Sequence, residues 1–310
     1  MNALICGSMA YDTIMVFHDK FQNHILPDKV HILNVSFLVP AMRREYGGCA
    51  GNIAYNLKLL KEEPLIMATV GHDFEPYAQW LSQRGISSRY INVLDDHYTG
   101  QAYITTDVED NQITAFHPGA MNFSHLNEVP ADSGITIGIV SPDGKQGMQE
   151  HAEQFAELAI PFIFDPGQGM PMFNGEELLK FLDLANYATF NDYESELVQE
   201  RTGLTLEQIA EKVDALIITL GSKGSKVYTH GEIIDIPAAQ PKQVLDPTGC
   251  GDAYRAGLLY GLINDYDWAV TGRIASLLGA IKIEHHGTQN HTFTMAEFKQ
   301  RYQDTFGSSF

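Results

Sequence analysis

Short apolar segments alternate with longer amphipathic segments along most of the chain. The strand-like segments cover residues 4–8, 65–70, 135–140, 161–165, 188–191, 216–220 and 226–229. Helical periodicity is found between and after them, at residues 51–61, 74–84, 147–159, 206–213, 252–263, 268–285 and 295–302. Such alternation predicts an α/β fold in which a mainly parallel central sheet is sandwiched by helices.

Two segments break this alternation. Residues 11–46 and 97–120 are rich in Val, Ile, Phe, Tyr and Thr, and they show no helical period. Residues 109–111, Glu-Asp-Asn, are typical of a turn that joins a strand at 103–108 to a strand at 112–116. We therefore predict one small β-sheet lid on a single domain spanning the whole chain. The alternative is an antiparallel extension at the edge of the main sheet.

The charge of the chain argues against several kinds of partner. The sequence contains 39 acidic residues against 20 lysines and arginines, which gives a formal net charge of -19. A field of this sign repels nucleic acids and anionic membranes, so we expect neither as a partner. It also opposes phosphorylated ligands, so a phosphate site would need local backbone dipoles and a metal ion.

Cysteine usage and the N-terminal segment indicate a cytoplasmic protein. Cys6, Cys49 and Cys250 are odd in number and widely spaced, which argues against a disulfide framework and a zinc site. The first residues lack the basic region of a signal peptide, and no apolar stretch is long enough to span a membrane. The spacing of His285, His286 and His291 also differs from that of the zinc-binding HExxH motif.

The strongest candidate for chemistry is the segment 246–252, Asp-Pro-Thr-Gly-Cys-Gly-Asp, directly before a predicted helix. Gly249 and Gly251 permit backbone conformations that a side chain would forbid, and nearby amides can converge on an anion at the helix N-terminus. Asp252 would lie beside that anion. Phosphoryl transfer needs both parts: fixed donors for the transferring group and a carboxylate that takes the proton of the attacking hydroxyl. On residue types alone, an ordinary N-cap aspartate is the simpler interpretation.

Four further positions follow predicted strands or precede helices, where open parallel sheets bind ligands. Residues 47–52, Gly-Gly-Cys-Ala-Gly-Asn, would let a ligand approach the main chain, and Asn52 can donate to and accept from a hydroxyl. Residues 191–194, Asn-Asp-Tyr-Glu, fit a helix N-terminus or a metal site reached through water. Residues 219–224, Thr-Leu-Gly-Ser-Lys-Gly, fit a nucleotide-contacting turn or a tight hairpin. Asp12 could bind a diol or cap a strand.

Taken together and in this order, these motifs resemble the ribokinase (pfkB) family of sugar and nucleoside kinases. The resemblance covers essentially the whole chain, and Asp-x-Thr-Gly-x-Gly-Asp at 246–252 is specific enough to displace the N-cap interpretation. Residues 47–57, 116–121 and 252–257 are most similar to bacterial adenosine-kinase-like nucleoside kinases. Two departures are Cys250, where the family most often has alanine, and Pro247, where it often has threonine.

The resemblance implies an ATP-dependent kinase that phosphorylates the 5'-hydroxyl of a nucleoside, with adenosine or another purine nucleoside expected first. ATP and Mg²⁺ are the implied cofactors, and many relatives also bind a monovalent cation such as K⁺. The implied site residues are Asp252 as catalytic base; Gly249, Cys250 and Gly251 as anion hole; Asp12, Gly47, Gly48 and Asn52 for the ribose; Asn191, Thr219, Gly221 and Gly224 for ATP; Glu194 for Mg²⁺ through water; and Asp246 and Thr248 beside the monovalent cation.

Two alternatives remain open at this point. The chain could be a sugar kinase of the same family that acts on ribose or fructose, or a non-catalytic nucleoside-binding protein. Phe17, Phe37, Tyr103 and Phe116 could stack on a base, or they could form the small core of the lid. In either case the expected partner is a small molecule, and the chain would act as a monomer or homodimer.

Overall fold

Two separate sheets and nine α-helices make up the described part of the chain. The computed structural model describes residues 2–25, 31, 32, 34–109, 111–131 and 134–310. The strands are β1 (Asn2–Cys6), β2 (Ala10–Val16), β3 (Ala41–Gly47), β4 (Glu63–Gly71), β5 (Ser87–Leu94), β6 (Gly100–Thr106), β7 (Gln112–His117), β8 (Ile135–Val140), β9 (Phe162–Phe164), β10 (Tyr187–Asn191), β11 (Ala215–Thr219), β12 (Ser225–Thr229) and β13 (Glu232–Ile236). The helices are α1 (Cys49–Leu59), α2 (Glu75–Gln83), α3 (Lys145–Glu157), α4 (Gly175–Leu184), α5 (Asp192–Thr202), α6 (Leu206–Ala210), α7 (Cys250–Ile263), α8 (Trp268–Ile283) and α9 (Met295–Phe306).

The larger sheet has nine strands in the order β13-β12-β11-β10-β9-β8-β1-β4-β5. All neighbouring pairs from β11 to β5 run parallel, whereas β12 and β13 pair antiparallel at one edge. The predicted α/β fold with a mainly parallel sheet is confirmed. Among the described residues, no helix is both long and apolar enough to cross a lipid bilayer.

Helices cover both faces of this sheet, and β1 shows how the sequence achieves it. Ala3 and Ile5 belong to one core with residues of α1, α7 and α8, while Leu4 and Cys6 belong to a second core with residues of α3 and α4. Successive side chains of a strand point to opposite faces, so a strand covered on both sides must be apolar throughout. This explains the continuous apolar segment at the start of the chain.

The two edge strands of the larger sheet, β5 and β13, were not predicted. Most of their residues are partly or fully exposed. An edge strand has fewer neighbours to bury it, so it lacks the apolar run that identifies the central strands. The helix α4 was also missed, although it begins with a capping box, and of α5 only the N-terminus at residues 191–194 was predicted, as one of two interpretations.

The smaller sheet has four strands in the order β3-β2-β6-β7. The pair β2 and β6 is parallel, and the other two pairs are antiparallel. Both segments that lacked helical periodicity contribute two strands each, so the predicted small sheet is confirmed and the edge extension of the main sheet is wrong. Residues 26–30 and 33 of the first segment, and residue 110 of the predicted turn, lie outside the described residues.

Candidate active site

A cavity of about 890 Å³ is lined by residues of both sheets. Ala102, Ile104, Thr114 and Phe116 come from the smaller sheet, and the loops after the main-sheet strands provide most of the remainder. The predicted site residues that line it are Asp12, Gly48, Asn52, Asn191, Glu194, Thr219, Gly221, Thr248, Gly249, Gly251 and Asp252. The predicted residues outside its lining are Gly47, Gly224, Asp246 and Cys250.

The first turn of α7 lies at the wall of this cavity, which Gly249, Gly251 and Asp252 line. Gly249 is the N-cap residue and has a φ of 78°, in the left-handed region that favours glycine. A Cβ at Gly249 would also lie 2.9 Å from Cγ2 of Thr288. Cys250 begins the helix, and its amide donates to the carbonyl of Pro247 over 3.2 Å. Burial raises the pKa of the Cys250 thiol to about 11, so the thiol is protonated at neutral pH.

Asp252 lies in the first turn of α7 with its carboxyl in contact with Asn52. The Asn52 side-chain amide donates to Asp252 Oδ2 over 2.7 Å. Burial raises the pKa of Asp252 from 3.8 to about 6; the Asn52 hydrogen bond opposes the shift, and the Asp165 carboxylate adds to it. A carboxyl with a pKa of this size is ionised at neutral pH and accepts a proton more readily than an ordinary aspartate.

Asn52 is oriented by a hydrogen-bond network that sequence reasoning missed. Gln289 Nε2 donates to Asn52 Oδ1 over 3.0 Å and to the Tyr77 hydroxyl over 2.6 Å. Trp80 Nε1 in turn donates to Gln289 Oε1 over 3.0 Å. Because Oδ1 of Asn52 is occupied by a donor, its NH₂ group must face Asp252. No motif spacing marks these residues, since Gln289 and Trp80 come from distant parts of the chain.

Asp12 lies in β2 and faces the same cavity as Asp252. Burial raises its pKa to about 6, with further increases from the Asp252, Glu45 and Asp246 carboxylates. A Cβ at Gly47 would lie 2.6 Å from Asp12 Oδ2, so glycine at this position leaves room for the carboxyl. The Asp12 carboxyl, whose pKa the Asp252 carboxylate helps to raise, is suited to accept hydrogen bonds from a ligand rich in hydroxyls.

Gly48 joins the smaller sheet to the main body. It is the single residue between β3 and α1, with a φ of 86°. A Cβ at this position would lie 2.5 Å from the carbonyl oxygen of Ser8. Both the conformation and the close approach require glycine here.

Arg255 forms a buried ion pair at the floor of the cavity, which sequence reasoning also missed. Its Nη2 donates to Asp165 Oδ1 over 2.9 Å, and both side chains are almost fully buried. Arg255 lies one turn after Asp252, and the Asp165 and Glu194 carboxylates hold its pKa above the ordinary value against the effect of burial. The available signal was that Arg255 is the one charged residue of α7 after Asp252.

Asn191 and Glu194 form the capping box of α5. Glu194 accepts from the main-chain and side-chain amides of Asn191 over 2.8 Å each, and its own amide donates to Asn191 Oδ1 over 2.7 Å. Burial raises the pKa of Glu194, and the Asp165 carboxylate adds to the effect. The helix N-terminus interpretation of this segment is therefore confirmed. Both side chains also line the cavity, which is the position that the other interpretation, a metal site reached through water, requires.

The segment 219–224 forms the turn between β11 and β12. Thr219 and Gly221 line the cavity. Gly224 does not, and it has a structural role: its φ is 92°, and a Cβ would lie 2.1 Å from the carbonyl oxygen of Ile236. This segment is thus a tight hairpin, one side of which faces the cavity.

Asp246 contacts both Thr248 and a lysine at the end of α8. Asp246 accepts from the amides of Thr248 and Gly287 over 2.9 Å each. Lys282 Nζ donates to the carbonyl oxygens of Asp246 and His285 over 2.7 and 3.3 Å. Of the two residues predicted beside a monovalent cation, Asp246 therefore has its carbonyl oxygen engaged by an ammonium group, and Thr248 contacts Asp246 through its amide.

The four aromatic side chains considered for stacking lie in different environments. Phe17 and Phe37 pack together, with ring centroids 4.9 Å apart, and both contact Phe21 in a small core of their own. The Tyr103 hydroxyl donates to Gln101. Phe116 is 49% exposed and lines the cavity beside Ile104, so it is the aromatic residue of the four available to a ligand there.

The chain is similar to known kinases along most of its length. Residues 9–294 match the model of the pfkB family carbohydrate kinases. A nucleoside kinase from Methanocaldococcus jannaschii is 32% identical over 273 residues, which cover 87% of this chain and 89% of that protein. A nucleoside kinase from Methanothermobacter thermautotrophicus is 29% identical over 301 residues, with coverage of 96% and 97%.

Solved structures of kinases are also similar to this chain. The structure of Burkholderia thailandensis nucleoside kinase in complex with inosine is 50% identical, covers 99% of both chains and superposes with a TM-score of 0.90. The Thermotoga maritima ribokinase, at 21% identity and a TM-score of 0.79, shares the fold. The family predicted from the order of the motifs is confirmed: this chain belongs to the pfkB family of carbohydrate kinases.

Proposed function

We propose that this kinase transfers the γ-phosphoryl group of ATP to the 5'-hydroxyl of a nucleoside, with Asp252 as general base. The observation that carries the proposal is the position of Asp252. Its carboxyl lies in the first turn of α7, has a pKa raised to about 6 and is held by Asn52 in a cavity lined by both sheets. The similar kinases from M. jannaschii and B. thailandensis are nucleoside kinases, and the latter has been solved with inosine and with ADP-inosine.

In the proposed reaction, Asp252 takes the proton of the attacking hydroxyl. The bond between O5' and the γ-phosphorus forms while the bond from that phosphorus to the β–γ bridging oxygen breaks, which yields a nucleoside 5'-phosphate and ADP. The amides at Gly249 and Gly251, together with the positive end of α7, stabilise charge on the transferring group. The amide of Cys250, the third predicted donor of the anion hole, already donates to the Pro247 carbonyl. The proton then leaves Asp252 for solvent.

The acceptor's sugar would be held by Asp12 and Asn52, with Gly47 leaving room for the Asp12 carboxyl and Gly48 lining the cavity. Asp12 approaches from the smaller sheet and Asn52 from α1, so a ribose between them would contact both parts of the protein. The base would lie against Phe116 and the apolar side chains of Ile104 and Met121. A flat purine gains more from this wall than a free sugar does, and we therefore propose adenosine or another purine nucleoside as the substrate.

ATP would occupy the part of the cavity lined by Asn191, Thr219 and Gly221. The carboxylate oxygens of Glu194 are the ligand type that Mg²⁺ takes, and a link through water fits because both oxygens already accept from Asn191. When bound to the phosphates, Mg²⁺ would supply positive charge to the transferring group. We propose in addition that the smaller sheet closes over the substrate as a lid, and the cytoplasm stays our predicted compartment.

A coupled ADP-release assay tests this function directly. We would compare adenosine, inosine, guanosine, cytidine, ribose and fructose as acceptors for ATP, with Asp252→Asn as the control for background hydrolysis. The expected result is that a purine nucleoside has the highest kcat/KM. Similar kcat/KM for ribose or fructose would instead favour a sugar kinase, and the absence of ADP release with every acceptor would favour a non-catalytic binding protein.

A further inference from the structure

Lys282, in the last turn of α8, is completely buried. Its ammonium group donates to the carbonyl oxygen of Asp246 over 2.7 Å and to that of His285 over 3.3 Å. It also lies 3.9 Å from Asp246 Oδ1. Fully buried lysines are rare, and they require partners of this kind because an unpaired buried charge is costly.

Acidic groups favour the charged form of this lysine. Burial lowers the pKa of Lys282, while its interactions with Asp246, Cys250 and Asp252 act in the opposite direction. For Asp246, burial acts to raise the pKa, but the amides of Gly287 and Thr248 and the Lys282 ammonium bring it below its ordinary value. The geometry is that of an ammonium facing a carboxylate, because Lys282 Nζ donates to two carbonyl oxygens and lies 3.9 Å from Asp246 Oδ1.

The ammonium also fixes the segment that leads into α7. Besides the contacts of Lys282, the amides of Leu245 and Asp246 donate to the carbonyl of Ile283 over 2.9 and 3.2 Å. The Asp246 carboxylate in turn accepts from Thr248, one residue before the N-cap Gly249. Lys282 therefore fastens the 245–248 segment to α8 and places a positive charge behind the turn that presents the amides of α7.

K⁺ binds where several carbonyl or carboxylate oxygens replace its hydration shell. The oxygens of Asp246 and His285 could form such a shell, but Lys282 Nζ already uses them. A second cation at the same oxygens does not fit, because it would meet a like charge in a buried place. We propose that Lys282 takes the place of a monovalent cation beside the anion hole, so that this kinase works without K⁺. This inference rests on the proposed function, since the anion hole belongs to it.

A salt series on the unaltered enzyme is the first test. ADP release and the thermal unfolding temperature, Tm, would be measured in KCl, NaCl and choline chloride at equal ionic strength. We expect kcat, the KM for ATP and the Tm to be the same in all three salts, within about a factor of two for the kinetic constants. Activation by K⁺ of about fivefold or more over choline would overturn the proposal.

Two variants test whether the enzyme needs the positive charge of Lys282 or only the space that its side chain fills. Lys282→Ala removes the charge and leaves room for an ion, so we expect kcat in choline chloride to fall by about tenfold or more and to recover in KCl or NH₄Cl. Lys282→Met removes the charge but fills the space, so neither salt should restore it. Lys226→Ala, at a partly exposed lysine of β12 that pairs with Asp235, is the matched control and should behave as the unaltered enzyme.

Thermal unfolding keeps this test separate from that of the proposed function, since it needs no substrate. A cation that binds the folded Lys282→Ala variant should raise its Tm in KCl relative to choline chloride, whereas the unaltered enzyme should show no difference. The proposal is overturned by a folded Lys282→Ala variant with full kcat in choline, or by equal responses of Lys282→Ala and Lys282→Met to K⁺. If Lys282→Ala folds in KCl but not in choline chloride, the result supports the proposal. If it folds in neither salt, the salt series on the unaltered enzyme decides.

Discussion

The Asn52 side-chain amide donates to Asp252 Oδ2 over 2.7 Å, and this contact joins residues that are 200 positions apart. It brings the first turn of α1 against the first turn of α7. The hydrogen bond stabilises the charged form of Asp252, while burial favours its neutral form. The balance between the two leaves a carboxylate that is ionised at neutral pH and still basic enough to accept a proton.

Replacing the proposed base tests the mechanism. We expect Asp252→Asn to lower kcat by about 10²- to 10⁴-fold, with little change in KM, because asparagine keeps the shape but cannot take a proton. Folding should be intact: a raised carboxyl pKa means that the folded state loses stability as pH rises from 3.8 towards 6, and asparagine avoids this loss. Steady-state kinetics and thermal unfolding measure the two effects. Near-normal kcat in a folded variant would refute this role.

The pH profile should report the same carboxyl. Asp252 must be ionised to act, so kcat/KM should fall as pH decreases through about 6 and be level above it. Asp12 also titrates near 6, so the acid limb should belong to the pair rather than to one residue. Asn52→Leu removes a hydrogen bond that lowers the Asp252 pKa, and it should move the limb to higher pH. A limb that stays at its position in this variant would contradict the assignment.

Gln289 should act through Asn52. In Gln289→Leu, Asn52 Oδ1 loses its donor and the amide can rotate away from Asp252, so we expect kcat to fall by about tenfold. Asn290→Ala, next in sequence but with its side chain exposed and bonded to Glu45, is the control. Kinetics of both variants, with the pH profile of Gln289→Leu, distinguish positioning from a general loss of stability. Equal kcat for the two variants would count against this role.

Phe116 should determine the preference for a nucleoside. Stacking of a base on an aromatic ring contributes about 1–3 kcal/mol, or about five- to 150-fold in kcat/KM. We expect adenosine or another purine nucleoside to exceed ribose by at least about tenfold, and Phe116→Ala to shrink this ratio while ribose turnover stays nearly unchanged. Ile113→Ala is the matched control, since Ile113 is an exposed apolar residue of the same strand on the opposite face. An unchanged ratio in Phe116→Ala would exclude stacking on this ring.

The smaller sheet should become protected when substrate binds. Its outer strand β7 is exposed along its whole length, so closure over a nucleoside would shield it. Amide hydrogen exchange with and without nucleoside would measure this, with the distant strands β12 and β13 as an internal reference. If β2, β3, β6 and β7 gain no protection relative to that reference, the sheet does not act as a lid.

The parts of this protein that depend on local pattern could be predicted from the sequence. The central strands are apolar because both faces are covered, and Asp252 follows a Gly-x-Gly turn that is visible in the sequence itself. Gln289, Trp80 and Lys282 could not be predicted. Trp80 and Gln289 are 209 residues apart, and Lys282 contacts a carbonyl 36 residues away, so neither contact leaves a spacing to detect.

Gly48 has a mechanical consequence for the enzyme. Strand β3 of the smaller sheet ends at Gly47 and α1 begins at Cys49, so this connection, one of several between the two parts, is one residue long. Asp12 lies on one side of this connection and Asn52, the partner of Asp252, on the other. A sugar held by Asp12 and Asn52, as proposed, would span this short connection. Closure of the smaller sheet over the sugar would then bring the sugar towards Asp252 in the same movement, because no flexible linker separates the two parts at this point.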